Sequence, residues 1–233
     1  MTKLAHVKAN PKTKRSSDEE QFLETIVRNA KRLQDLSENI LDITKIESRT
    51  LKLNKEKFNI NEKIRNVIED TKSKDDEIAI IFEQKEDPIV VDADGLRIYQ
   101  VVSNLLNNAL KSSKMCIDAG DNYSTEYDIS SIITVLTTIK KFSNIYKNGN
   151  TGKGSLGNHH NDEVIVSIKD RGTGIDPDIQ DKLFSKFATK SDTGSGLGLY
   201  ISKGIVEAHG GRIWAENNAD GKGATFAFSL PIL

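Results

Sequence analysis

The chain has a single cysteine, Cys116, so it can form no intrachain disulfide and no zinc site built from several thiolates, which fits a reducing compartment. Long apolar runs are missing as well. Nothing approaches the roughly 20 consecutive apolar residues of a membrane-spanning helix, and the polar opening MTKLAHVKANPKTK lacks the apolar centre of a secretion signal. A soluble, cytoplasmic chain without a membrane span is expected. Net charge is nearly absent too: Lys and Arg number 33 against 34 Asp and Glu, so no overall field draws the protein to nucleic acid. An anionic ligand would have to be held by local groups. What is present is apolar material, 36% of 233 residues, enough for one sizeable core.

Residues 1–17 are polar and basic (Lys3, Lys8, Lys12, Lys14, Arg15) and are interrupted by Pro11, a composition that predicts a disordered tail. Ser17, followed three residues later by Glu20, reads as a capping box, and nothing breaks a helix before about Arg49. The spacing predicts a helix of about eight turns. Within it Phe22, Ile26, Leu33, Leu36, Ile40 and Ile43 recur at intervals of three and four, with Asn29 as the polar member of the seam. Such a seam needs a second helix, supplied by this protein's own domain or, as the preferred reading, by a partner in a dimer or two-helix stem.

From Phe58 the pattern becomes that of an α+β domain. A helix is predicted over Ile60–Lys72, strands over Ile78–Glu83 and Ile89–Asp92, and a long helix over Gly95 to about Ser113, opened by Asp94. Ile98, Val101, Val102, Leu105, Leu106, Ala109 and Leu110 form the apolar face of that helix. Residues 114–162 predict one strand, Ile132–Ile139, between two flexible Gly/Asn-rich loops. After them come a strand Glu163–Lys169, a short helix Pro177–Phe184, a helix Leu197–Ala208, and strands Arg212–Glu216 and Thr225–Leu230.

Three segments carry chemistry. Asp170-Arg171-Gly172-Thr173-Gly174 puts a carboxylate at a strand end beside two conformationally free residues, where it can accept a hydrogen bond from an amino group. On spacing alone the run is equally an Asx-type turn. Gly194-Ser195-Gly196-Leu197-Gly198 leads into a helix, so backbone amides and a helix N-terminus can surround phosphate oxygens; the alternative is a flexible loop. A dinucleotide fingerprint fails because Leu199 stands where its third glycine belongs, and Gly152-Lys153-Gly154 lacks the Ser or Thr of a Walker loop. Asn104, Asn108 and Lys111 project from one helical face, offering amide oxygens suited to Mg²⁺ and an ammonium suited to phosphate; a solvated polar face is the plainer alternative, and Asn107 is expected in solvent.

QVVSNLLNNALK, KDRGTGI and GSGLGLYISKGIVEAHGG, in that order and with LFSKF (183–187) between the last two, resemble the sensor histidine kinases of two-component systems. The resemblance implies a GHKL-type ATP-binding catalytic domain over residues 51–233, a two-layer α/β sandwich, preceded by a partial dimerisation and phosphotransfer stem helix over residues 18–50. It implies ATP and Mg²⁺ as cofactors. Asp170 would accept from the adenine amino group, Gly172 and Gly174 would shape that pocket, and Thr225 in GKGATF would support it. Asn108 would hold Mg²⁺, Asn104 and Lys111 would lie near the phosphates, and Phe184 to Gly198, including Phe187, Gly194, Gly196 and Leu197, would form a lid. Because phosphoryl transfer is mainly positioning and charge neutralisation, those parts suffice for it. Related ATPases such as gyrase carry a water-activating glutamate where Asn104 stands, and an amide cannot act as that base, so transfer is favoured over hydrolysis.

The match departs from the family in three places. ENILDITKIES resembles the second stem helix, so a first helix carrying the acceptor histidine should precede it, and it is missing or shortened. His6 keeps the family's five-residue offset to Pro11, with Asn10 in place, but Val7 and Ala9 replace an acidic and a basic residue; it is a possible phosphoacceptor and more readily a tail histidine. Residues 114–162 form a divergent insert, and KSSKM lacks the aromatic residue expected after Lys111. His159 and His160 have no carboxylate or cysteine at ligand spacing, and His209 reads as the C-terminal cap of a helix. Three functions follow: a module phosphorylating a histidine, in a partner chain, for relay to a response regulator; a non-catalytic ATP-binding switch or heterodimer partner; and, ranked last, a protein-serine kinase of the anti-sigma-factor type.

Overall fold

The structure is a computed structural model that describes residues 17–72, 78–118, 132–141, 162–189 and 194–232. The expected tail with His6, the Gly152-Lys153 pair, His159 and His160 lie outside these residues. The chain divides into two units, residues 1–41 and 42–233, and the division falls inside α1 (Ser17–Glu47).

In the first unit residues 17–41 are helical throughout, as expected of a stretch without glycine or proline. The part of the predicted seam that lies here has its apolar groups in solvent: Phe22 is 68% and Leu33 69% exposed, and Ile26, Leu36 and Ile40 are exposed with them, whereas Ile43, in the second unit, is buried.

The second unit begins with the last turns of α1 and continues through β1 (Glu56–Asn59), α2 (Ile60–Thr71), β2 (Ala79–Gln84), β3 (Val90–Ala93), α3 (Gly95–Asp118) and β4 (Ile132–Lys140). It ends with β5 (Glu163–Lys169), α4 (Pro177–Gln180), α5 (Gly198–Ala208), β6 (Ile213–Asn217) and β7 (Ala224–Pro231). A five-stranded sheet runs β2-β4-β5-β7-β6, with β2 and β4 parallel and the other pairs antiparallel, and β1 with β3 makes a separate two-stranded ribbon.

Strand alternation explains the two layers. Ile133 and Val135 of β4, Val164, Val166 and Ile168 of β5, and Phe226, Phe228 and Leu230 of β7 are buried on one face, in the register Ile168 opposite Phe226 and Val166 opposite Phe228. The apolar stripes of α2 (Ile64, Val67), α3 (Ile98, Val102, Leu105) and α5 (Ile201, Ile205) complete this core. Each such side chain contributes about 1.5–3 kcal/mol when fully buried. The α+β, two-layer expectation therefore holds, with a long helix ahead of it.

Three local expectations need correcting. α3 does not stop near Ser113 but runs to Asp118, because Ser113 occupies a core position, fully buried, and Cys116 continues the spacing of Val102, Leu106 and Ala109. The divergent segment is shortened by that much. The helix expected to reach Phe184 ends at Gln180 and gives way to i→i+3 turns (Lys182 N–H to Ile179 O, 3.0 Å; Ser185 N–H to Lys182 O, 2.8 Å). β1 was not foreseen, since in EKFN only Phe58 is apolar and no alternation can be read from it.

Candidate functional site

α3 is the spine on which the site residues gather. Its N-terminus is fixed by Asp94, whose Oδ1 accepts from the amides of Leu96 and Arg97 at 3.1 Å each, while Oδ2 accepts from Asn54 N–H at 2.9 Å. Burial pushes that carboxyl up, but the bonds from Asn54, Arg97 and Leu96 outweigh burial and hold it below its ordinary value. The Asp94 amide donates in turn to His209 Nε2 at 2.9 Å, and His209 Nδ1 lies 2.8 Å from Ile205 O. With Nε2 accepting, Nδ1 carries the proton and the ring is neutral. His209 is thus the C-terminal cap of α5, as expected, and also a latch between the two helices.

The run 170–174 forms a turn at the end of β5. Asp170, buried, accepts on Oδ1 from Gly172 N–H at 2.8 Å and Ala224 N–H at 3.3 Å, while its own amide donates to Ala224 O at 2.9 Å. Burial pushes its carboxyl above the ordinary value, against the bonds from Gly172, Ala224 and the Ser112 hydroxyl. The glycines are sterically required. A Cβ on Gly172 would stand 2.0 Å from Ser112 Oγ, and Gly174 has φ +75° with Asn217 Oδ1 2.9 Å from the position of its missing Cβ.

Four further residues hold this turn, and sequence reasoning missed all of them. Asn217 clasps the backbone of Ile175, accepting its N–H at 2.7 Å and donating to its carbonyl at 3.1 Å. Asn218 donates to Asp170 O at 2.8 Å and accepts from the Thr225 hydroxyl at 2.7 Å, so Thr225 acts on the turn through Asn218. Gly223 (φ +73°) passes so close that a Cβ would be 2.3 Å from Asp170 O. Ser112 Oγ accepts from Thr173 N–H at 3.1 Å. The available signal was the Asn-Asn pair followed by GKG after a strand, a turn signature rather than a nucleotide motif.

Asn104 and Asn108 are half-buried on α3, whereas Lys111 and Asn107 are exposed, Asn107 bonding within the helix to Ser103 Oγ at 3.3 Å. Asn104 faces α5: its Nδ2 lies 3.4 Å from both Gly198 O and Ser202 Oγ, and a Cβ on Gly198 would be 3.6 Å from its amide carbon. Among the described residues no side-chain bond caps α5 at Leu197. The segment expected to form a lid is tied across Phe187 and Gly196. Phe187 N–H donates to Gly196 O at 2.9 Å, both residues have left-handed backbones (φ +63° and +65°), and a Cβ on Gly196 would be 2.6 Å from Phe187 C. Phe184 and Gly194 are half-buried, Leu197 is buried and Phe187 is exposed, while residues 190–193 lie outside the description.

Thus α3 carries the Asp170 turn against Ser112 and the start of α5 against Asn104 two turns earlier, and the three sequence motifs gather along one helix. The model of the histidine kinase-, DNA gyrase B- and HSP90-like ATPases matches residues 93–233, more than half of the chain. The chain belongs to this family. Sensor protein KdpD of Clostridium acetobutylicum is 32% identical over 202 residues, 84% of this chain and 19% of that protein. Sensor protein FixL of Bradyrhizobium diazoefficiens is 54% identical over 70 residues, 30% of this chain and 14% of its own length. Sensor protein kinase WalK of Staphylococcus aureus is 29% identical over 217 residues, 91% of this chain and 30% of that protein. The chain therefore spans less than a third of each of these relatives. Among solved structures, the catalytic domain of histidine kinase ThkA has a TM-score of 0.54 at 28% identity, over 78% of this chain and 97% of that one. Full-length ShkA in complex with AMPPNP has a TM-score of 0.67 at 22% identity, over 94% of this chain and 40% of that one. The second unit has the fold of the histidine-kinase ATP-binding domains.

Proposed function

We propose that this chain is the ATP-binding, phosphoryl-transferring module of a two-component protein-histidine kinase, which delivers the γ-phosphate of ATP to a histidine for relay to a response regulator. The observation that carries the reading is the convergence on α3: a buried carboxylate at the Asp170 turn, two amides and an ammonium along the helix (Asn104, Asn108, Lys111), and an uncapped helix N-terminus at Gly198. Asp170 accepts from the adenine amino group in the pocket shaped by Gly172 and Gly174, with Thr225 acting through Asn218. Gly194 to Gly198 and the uncapped amides of α5 receive the phosphates, with Phe184 and Phe187 at the lid's base.

The donor set fits Mg²⁺. Asn108 offers one amide oxygen, and among the described residues no three of His, Cys, Asp and Glu converge into a metal cage. That is the pattern of an ion held by few protein ligands and by the nucleotide's own phosphates. When bound, Mg²⁺ neutralises phosphate charge.

The acceptor lies elsewhere. The one histidine among the described residues is His209, buried and hydrogen-bonded through both ring nitrogens, so it can accept no phosphate. The acceptor we favour is a histidine on a partner's stem; His6, like His159 and His160, lies outside the described residues. The exposed seam of α1 supports pairing with a second stem, from another copy or a related chain. The same observation favours a second reading, a nucleotide-dependent switch without transfer. The test is incubation with Mg²⁺ and γ-labelled ATP, with a histidine-bearing stem supplied in trans. Acid-labile label that vanishes in Asp170→Asn supports the kinase; nucleotide binding without label on either chain supports the switch.

A further inference from the structure

The last turns of α1, from Asp42 to Glu47, belong to the second unit and meet three parts of the nucleotide-binding body. Asp42, Ile43, Ile46 and Glu47 share one face of the helix. Asp42 is buried and accepts on Oδ2 from Arg97 Nη1 at 2.7 Å and Gln100 Nε2 at 3.1 Å, both early in α3. Arg97 Nη1 also donates to Gln100 Oε1 at 2.9 Å. Ile43 enters the common core. Ile46 lies against α5 at Gly204, where a Cβ would stand 2.6 Å from Ile46 Cδ1 and 2.8 Å from Cγ2. Glu47 pairs with Lys186, whose Nζ is 5.6 Å from the centre of the Tyr200 ring in the first turn of α5. The helix ends directly after these contacts, with Arg49 in the left-handed region (φ 55°) and Thr50 N–H bonded to Lys45 O at 2.8 Å. Gly204 has no left-handed backbone to require a glycine, and a glycine inside a helix weakens it relative to alanine. What it provides is room for Ile46.

We propose that Asp42 and Ile46 are positioning residues for the phosphate end of the site: the base of α1 braces α3 against α5, and so fixes Asn104 and Asn108 on one helix relative to the Gly198 amides on the other. The inference rests on the reading that those groups receive the phosphates of the nucleotide. Burial of apolar surface is non-directional, so the shared core draws the two helices together while polar contacts set their register. Three such contacts follow one another along the pair. His209 latches onto the Asp94 amide at 2.9 Å where α3 begins and α5 ends. Asn104 Nδ2 reaches Gly198 O and Ser202 Oγ where α5 begins, at 3.4 Å each, the outer limit of a hydrogen bond. The brace lies between them, on Arg97 and Gln100 of α3 and Gly204 of α5, and its bond from Arg97 to the Asp42 carboxylate is short and charge-assisted. Without the brace the helices spend less time in the arrangement that receives phosphate, and apparent affinity falls by that fraction. The Asp170 turn is held by Ser112, Asn218 and Ala224, none of them on α5, so recognition of the base is left intact.

Affinity for Mg-ATP is measured by calorimetry, and affinity for adenosine, which has the base but no phosphates, by NMR titration. The proteins are the full chain, its Asp42→Ala and Gly204→Ala variants, and the double variant Gly204→Ala, Ile46→Ala. Asp42→Ala and Gly204→Ala should each weaken Mg-ATP about fivefold or more, the lower end of typical couplings between sites, and leave adenosine unchanged. Gly204→Ala is the sharper of the two, because alanine is the better helix former and the loss cannot be laid to a weakened α5. In the double variant the new methyl group occupies space that the shortened Ile46 has vacated, and most of the Mg-ATP affinity should return. Unchanged Mg-ATP affinity in the two single variants overturns the proposal. So does equal weakening of Mg-ATP and adenosine, which marks general damage to the fold, and so does a double variant no better than Gly204→Ala. A wild type that binds neither ligand sinks the nucleotide reading and this inference with it, whereas a wild type that binds both, with variants that lose neither, sinks the brace alone. Should Gly204→Ala not fold, Asp42→Asn, which keeps the shape of the side chain, is held beside Asp42→Ala to the same criteria.

Discussion

At the residue scale, Asp170 and His209 are buried groups whose environments act in instructive ways. The folded carboxyl of Asp170 lies above its ordinary value of 3.8, so the group favours the folded state at low pH and costs stability once pH rises through its folded value. Burial of this carboxyl therefore costs stability in its ionised form. Asp170→Asn should leave the melting temperature unchanged or higher, because the amide oxygen still serves Gly172 and Ala224 and no buried charge remains. The same variant should weaken ATP about 10- to 100-fold, the equivalent of one bond to a charged group. A lower melting temperature together with unchanged ATP affinity would reverse that assignment. His209 has the opposite sign. Burial holds its pKa below the ordinary 6.5, with Lys55 adding to this and the bond to Ile205 O, Asp94 and Asp92 opposing it. The unfolded chain then binds more protons below about pH 6.5, so the His209 contribution is complete above that pH and is lost as pH falls toward the folded value. The stability gap between wild type and His209→Gln, from urea midpoints, should shrink between pH 7.5 and 5.5.

At the scale of elements, the β6–β7 connection separates backbone strain from close packing. Gly221 and Gly223 have the same φ of +73°, but a Cβ on Gly221 meets nothing within 4 Å while one on Gly223 would strike Asp170 O at 2.3 Å. Gly221→Ala should cost only the left-handed backbone penalty, about 1–2 kcal/mol, with nucleotide binding intact. Gly223→Ala should cost about 1–3 kcal/mol more, as overpacking does, and should weaken ATP because the Asp170 turn must move. Urea unfolding paired with calorimetry checks both. This connection also marks the limit of what the sequence made legible. Elements with strong periodicity, such as α1, β5 and β7, were read nearly to the residue, and the motifs of the site were found because glycine and asparagine are unusual where they stand. The holding residues Ser112, Asn217, Asn218 and Gly223 were not found, because a serine on a helix and an asparagine pair in a turn are common types whose role exists only through long-range contacts. The end of α3 was misjudged for a related reason, since a buried serine looks polar in sequence and fills a core position in three dimensions.

At the scale of the molecule, the two units differ in how they are stabilised. The second has its own core, whereas residues 17–41 present Phe22, Ile26, Leu33 and Leu36 to solvent along a helix, and an isolated helix gains little stability in water. Among the described residues no helix is long and apolar enough to cross a membrane. The spacing of three and four along it is what an antiparallel or parallel helix pair requires. Light scattering should therefore find the wild type as a dimer. The double substitution Ile26→Glu, Leu33→Glu removes two apolar contacts from each copy, four in the pair, each contributing about 1.5–3 kcal/mol when buried, so the dimer dissociation constant should rise at least about a thousandfold. Mg-ATP affinity should not change, because every residue assigned to the nucleotide lies between Asn104 and Thr225 in the second unit. Trans-labelling of a stem histidine should fall with dimerisation if the acceptor is presented by the paired helix. A monomeric wild type that still labels a stem supplied in trans would place the acceptor's docking surface on the second unit and leave the α1 seam to a different, heterologous chain.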